Sequence, residues 1–181
     1  MTHNILVTGP PRSGKTTILK RVRERLEAEG YRTGGIACPE LRSDDDGDRV
    51  GFEIADLMSG DSRVLAHVDR VDGPTVGKYR VNVEGVDAIC AAAFERAFDD
   101  ADVLIVDEIA PMEVYSEAFV SGVRRGLDAD RPLAAAIHYR STAGFIGEVK
   151  ARDDTETFDV TDATRDDLPA RLVERLIQAL D

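Results

Sequence analysis

The chain has 181 residues, of which 35 are acidic and 23 basic, a formal net charge of −12 that disfavours nucleic acid and anionic membranes as partners, a local arginine patch aside. Lysine occurs only at Lys15, Lys20, Lys78 and Lys150, and an acidic, lysine-poor surface is the one expected of a halophilic protein, because multimolar salt screens its self-repulsion. No apolar run nears the length that spans a bilayer, and a chain of this size buries roughly 70% of its unfolded surface, which predicts a single domain over residues 1–181.

In chain order, Ile5-Leu6-Val7 predicts the first strand, which leaves no room for a signal peptide before it. Directly after it, Gly9-Pro10-Pro11-Arg12-Ser13-Gly14-Lys15-Thr16 fits the pattern G-x-x-x-x-G-K-[ST], followed by Thr17. Such a loop lets successive backbone N–H groups turn inward and cradle nucleotide phosphates. Lys15 is then expected to reach the β- and γ-phosphates and the Thr16 hydroxyl to ligate Mg²⁺. Ile18, Val22 and Leu26 share one face of the helix that follows, and Gly30 is its natural stop.

Tyr31 to Cys38 is a second strand candidate, and Pro39 to Arg49 reads as a polar loop. Val50 to Leu57 and Val64 to Val71 flank Ser59-Gly60-Asp61-Ser62 and predict an antiparallel hairpin inserted in an α/β frame. Gly77-Lys78-Tyr79 is placed in a loop, and Val86 to Phe98 in an alanine-rich helix.

Asp102-Val103-Leu104-Ile105-Val106-Asp107-Glu108 reads as a buried parallel strand ending in two acids. Ligands bind at the carboxyl ends of such strands. Asp107 is the candidate Mg²⁺ ligand, through a water. Glu108, one residue on and pointing to the other side of the strand end, is the candidate general base for an attacking water. A helix near Ser116 to Leu127, a buried strand Leu133 to Ile137 and a short strand Thr157 to Val160 complete the frame. Leu168, Leu172, Leu176 and Leu180 mark a terminal helix, with Thr164 and Asp167 as a capping box and Pro169 in the first turn. Cys38 and Cys90 lack metal or redox spacing and predict reduced, buried thiols of a cytoplasmic protein.

Taken together these motifs resemble the P-loop nucleoside-triphosphatase family that includes thermostable archaeal and bacterial enzymes and the human cancer-related nucleoside-triphosphatase. The resemblance is carried by Pro39-Glu40-Leu41-Arg42, Val50-Gly51-Phe52, Val76-Gly77-Lys78-Tyr79, Asp107-Glu108-Ile109 with Met112-Glu113, and Ile137-His138 with Arg140. Two residues depart from it: Arg12 stands where the family usually has glycine, and Ala110 replaces the common glycine after Asp-Glu-Ile. The resemblance implies an α/β fold with a RecA-like, predominantly parallel sheet in which the strand ending at Ile137 lies between the P-loop strand and the strand ending at Asp107. It also implies Mg²⁺-dependent hydrolysis of ATP, GTP and other triphosphates, with broad base tolerance and slow turnover. In that topology His138 emerges beside the γ-phosphate, and Arg42 and Arg140 are candidates for transition-state charge. Monomer is the expected state.

Other readings stay open on the residues alone. A GTPase needs an Asn-Lys-x-Asp base reader, and no Asn-Lys pair exists in the chain. A nucleoside or nucleotide kinase shares the phosphate loop, and the inserted hairpin offers it an acceptor site. A nucleotide-gated binding module would use slow hydrolysis as a timer. The base is expected near Thr161 to Arg165, where nothing selects adenine over guanine.

Overall fold

The computed structural model describes residues 3–181. It has ten strands and five α-helices: β1 (Asn4–Thr8), α1 (Lys15–Ala28), β2 (Thr33–Ala37), β3 (Glu40–Arg42), β4 (Arg49–Asp56), β5 (Ser62–His67), β6 (Thr75–Val76), β7 (Tyr79–Val81), α2 (Val83–Asp100), β8 (Val103–Ile109), α3 (Glu117–Asp128), β9 (Leu133–Ile137), α4 (Gly144–Lys150), β10 (Thr155–Asp159) and α5 (Leu168–Leu180). All ten strands form one sheet. Its order is β10-β1-β9-β8-β2-β4-β5-β7-β6, with β3 on β4.

The β10-β1-β9-β8-β2 half is parallel throughout. Both faces of it are covered, which explains the unbroken apolar runs. In β8, Val103 and Ile105 pack with α1 and α5 while Leu104 and Val106 pack with α2 and α3 on the other face, because successive side chains of a strand point to opposite sides. The spacing of Ile18, Val22 and Leu26 buries one stripe of α1, and Leu168, Leu172 and Leu176 do the same for α5. A fully buried leucine contributes roughly 1.5–3 kcal/mol relative to an exposed one, so these two stripes are a large share of that layer's stability. As the resemblance implied, β9 lies between β1 and β8.

The expected hairpin is present as β4 and β5, within a wider antiparallel half. β4 joins β2 antiparallel, so the hairpin extends the main sheet. Three details differ from the sequence reading. The Pro39 to Arg49 stretch contains β3, paired to β4, and three polar-flanked residues carry too little alternation to be read as a strand. Gly77-Lys78 is the tight turn joining β6 to β7 rather than an open loop. Residues 144–150 form α4, a helix of 7 residues whose Ile146 and Val149 are buried but too few to show a period.

The capping box at α5 does not form. Asp167 makes no side-chain cap, and the Thr164 hydroxyl accepts instead from the Thr161 N–H at 3.0 Å and donates to Asp159 O at 2.9 Å. Pro169 does occupy the first turn. At α3, Ser116 is the cap, its Oγ accepting from the Phe119 N–H at 3.0 Å.

One glycine fixes the geometry of the central strands. Gly35 has φ 126°, and a β-carbon there would lie 2.0 Å from the carbonyl oxygen of Ile105 on β8. Only glycine lets β2 approach β8 in that register, which sets Ala37 beside Asp107.

Candidate active site

The site lies at the carboxyl ends of β1, β8, β9 and β2, in a cleft of about 950 Å³. Its floor is the loop between β1 and α1. Ser13 N–H donates to Pro10 O at 3.1 Å and Ile18 N–H to Gly14 O at 2.9 Å, which folds the chain back on itself into the first turn of α1. Gly14 has φ 105° and Arg12 φ 66°. Arg12 is the one non-glycine residue with positive φ among the described residues. A side chain there costs roughly 1–3 kcal/mol of backbone strain. Arg12 lines the cleft. The Ser13 hydroxyl is buried without a partner among the described residues.

Lys15 Nζ lies 3.1 Å from Glu108 Oε2. The Thr16 hydroxyl donates to Asp107 Oδ1 at 3.4 Å. Thus the four residues that the two motifs singled out, 91 to 93 positions apart, face one another. Asp107 is 7% exposed, and burial raises its carboxyl to about 6, with the Thr16 hydrogen bond pulling the other way and the Glu108 charge reinforcing the rise. Thr16 and Asp107 are hard oxygen donors, and a buried carboxylate lacking a full counter-charge suits Mg²⁺, which is bound through one or two carboxylates and water.

His138 follows β9, and its N–H donates to Ile109 O at 2.9 Å. The ring lines the cleft with Arg140. Its Nδ1 accepts from Ser141 N–H at 3.3 Å, which puts the ring proton on Nε2. Burial holds its pKa below the usual value, so at neutral pH it is a neutral donor.

Arg42 is not brought to the site. It sits on β3 and donates to Glu40 Oε2 at 2.7 Å and Gly47 O at 3.0 Å, ion-paired to its own strand neighbour. Cys90 is buried as expected, but Cys38 is only partly buried and lines the cleft. Burial raises both thiols, which leaves them protonated and unreactive at neutral pH.

The sequence reading assigned no role to Glu113. It lies on a single 3₁₀ turn, Glu113–Tyr115, is 4% exposed, and lines the same cleft. Its Oε2 has no hydrogen-bond partner among the described residues. Burial pushes its carboxyl up to about 8, and the charge of Glu108 pushes the same way. Met112 and Val114 on either side were the only signal of its burial. The far end of the cleft is walled by Arg49, Phe52 and Val76 from the antiparallel half. There Arg49 lies over the Phe52 ring at 5.2 Å and donates to the Tyr79 hydroxyl at 3.0 Å.

A second depression, of about 960 Å³, lies at the opposite ends of the strands. Its arginines serve the fold. Arg32 pairs with Asp102 at 3.0 Å, and Arg131 donates to Ala97 O at 3.2 Å and Ala101 O at 2.6 Å, closing the C-terminus of α2.

Comparison with known proteins agrees with this geometry. Residues 4–173 match a family model described as NTPase. The chain is 44% identical over 182 aligned positions to nucleoside-triphosphatase THEP1 of Methanopyrus kandleri, covering 100% of this chain and 99% of that protein. It is 41% identical to THEP1 of Thermofilum pendens, covering 96% and 94%. The crystal structure of THEP1 from Aquifex aeolicus superposes with a TM-score of 0.84 at 29% identity, covering 96% of this chain and 98% of that one. With the phosphate loop, the paired acids and the strand order of that fold all in place, the chain belongs to the nucleoside-triphosphatase THEP1 family.

Proposed function

We propose that the chain, as one catalytic unit, hydrolyses nucleoside triphosphates, ATP and GTP among them, to the diphosphate and inorganic phosphate, with Mg²⁺ as cofactor, broad base tolerance and slow turnover. The observation that carries this reading is the Lys15–Glu108 pair in the same cleft as the Thr16–Asp107 pair. The free backbone N–H groups of the loop around Arg12 and from Gly14 to Thr17 cradle the phosphates, and Lys15 clamps the terminal ones. Thr16 and Asp107 hold Mg²⁺, directly or through water, and the ion when bound neutralises charge developing on the phosphate oxygens. Glu108 orients a water and takes its proton as the oxygen attacks the γ-phosphorus, the bond to the β,γ-bridging oxygen breaks, and the diphosphate leaves. His138 donates from Nε2 to the transferring group. On the same proposal the protein is monomeric, cytoplasmic and salt-adapted, the last supported by its acidic, lysine-poor composition.

The extension of the cleft past the phosphate end, to Phe52 and Val76, favours a second reading in which a hydroxyl acceptor replaces water. One experiment separates the two. Release of inorganic phosphate from γ-labelled ATP, GTP, CTP and UTP is measured with Mg²⁺ in high KCl, for the parent and Glu108→Gln. Release from several triphosphates, lost in the variant, is the expected result. Label appearing in an added nucleoside or nucleotide, with no free phosphate, would replace hydrolysis by phosphoryl transfer.

A further inference from the structure

The loop after β10 lies against the phosphate loop and is fastened to its start. Val160 N–H donates to Thr8 O at 2.8 Å, and a β-carbon at Gly9 would stand 3.2 Å from Val160 O. The hydroxyls of this loop are consumed within it. Thr161 N–H donates to Thr164 Oγ1 at 3.0 Å, Thr164 N–H donates to Thr161 Oγ1 at 3.2 Å, and the Thr164 hydroxyl donates to Asp159 O at 2.9 Å. Hydroxyls tied up in this way present no donor and acceptor pattern to the edge of a base.

Arg165 is placed differently. Its side chain lies across Gly14, where a β-carbon would meet Cδ at 3.7 Å and Nε at 3.8 Å, and it is 46% exposed. Asp162 accepts from Nη2 at 2.7 Å. Guanidinium N–H groups point outward in the plane, so that bond occupies an edge and leaves the flat faces available. A triphosphate laid along the loop with its terminal phosphate towards Lys15 would run back over Gly14 and the N-terminus of α1, which would bring its nucleoside beside Arg165.

We propose that Arg165 is the nucleobase contact of this site, stacking its guanidinium plane on whichever base the triphosphate carries. The inference rests on the nucleoside-triphosphatase reading and supplies its specificity. The bases differ at their hydrogen-bonding edges, whereas every base offers a π-face, so a loop with a stacking plane and no edge reader accepts all of them. Base tolerance is then a property of one side chain.

The test compares Arg165→Ala and Arg165→Lys with the parent in steady-state hydrolysis of ATP, GTP, CTP and UTP, with inorganic tripolyphosphate as competitive inhibitor. Arg165→Ala is expected to raise KM for all four by roughly 5- to 150-fold, the range for losing one stacked base, with kcat within about twofold. Lysine, which keeps the charge and lacks the plane, should not restore KM, and the inhibition constant of tripolyphosphate should stay unchanged. An unchanged KM in Arg165→Ala would overturn the proposal. So would recovery by lysine, or a tripolyphosphate constant that rises with KM, since either marks a phosphate contact. If the parent hydrolyses nothing, the function fails while this inference stays testable, by equilibrium dialysis of the same nucleotides against both variants.

Discussion

Lys15 Nζ and Glu108 Oε2 meet at 3.1 Å across the floor of the cleft, so the cation of the phosphate loop and the acid at the end of β8 neutralise one another. On the proposed function, a triphosphate would compete with Glu108 for that lysine and would release the carboxylate next to the terminal phosphate. The proposed base would then be exposed by the substrate it acts on. Glu108→Gln should retain nucleotide binding while hydrolysis falls about 10²-fold or more, the usual contribution of a general base. Lys15→Ala should lose productive binding as well. Measuring Kd by dialysis and kcat by phosphate release separates these, and a fully active Glu108→Gln enzyme would assign the base elsewhere.

Glu113 makes the fold sensitive to alkaline pH. Its carboxyl, ordinarily near 4.5, is raised to about 8 by burial, so the folded state holds a proton that the unfolded chain releases. That contribution is complete below about pH 4.5 and is lost as pH rises towards 8. Glu113→Gln keeps the neutral shape and removes the titration. Its Tm should exceed that of the parent by several degrees at pH 8.5 and converge with it near pH 5. A constant difference across that interval would show that Glu113 is not neutral in the fold.

Gly35→Ala should be severely destabilising. The φ of 126° and the 2.0 Å approach to Ile105 O combine strain of roughly 1–3 kcal/mol with a clash against backbone that cannot turn aside. A fall in Tm of roughly 5 to 15 °C is expected in a thermal scan, and an unchanged Tm would mean that β2 shifts freely along β8.

The charge of −12 predicts a salt requirement. Melting temperature should climb from 0.1 to 3 M KCl as the ions screen repulsion between acids that no lysine offsets. Stability independent of KCl would remove the halophilic assignment.

The amino-acid order by itself determined the parts whose signals are local. The phosphate loop was legible because glycine, lysine and threonine at fixed spacing between a strand and a helix serve one purpose. The acid pair was legible because four apolar residues in a row need burial on both faces. The stripes of α1 and α5 were legible through their helical period, as was the hairpin through its Ser59-Gly60 turn.

What the tertiary structure decided depends on residues far apart in the chain. β3 exists because β4 offers it an edge, and α4 because Ile146 and Val149 find a core to enter. Thr164 left its expected capping role because the turn after β10 engages its hydroxyl, which accepts from the Thr161 N–H and donates to Asp159 O. Arg42, equal to Arg140 by sequence, turned away to Glu40 on its own strand. Glu113 became a neutral acid because the fold removed water from around it, and Arg165 came to lie on Gly14, about 150 positions away, because β10 pairs with β1. Spacing and period encode which groups are present, whereas burial and apposition, which set their charge and partners, arise only when the sheet closes.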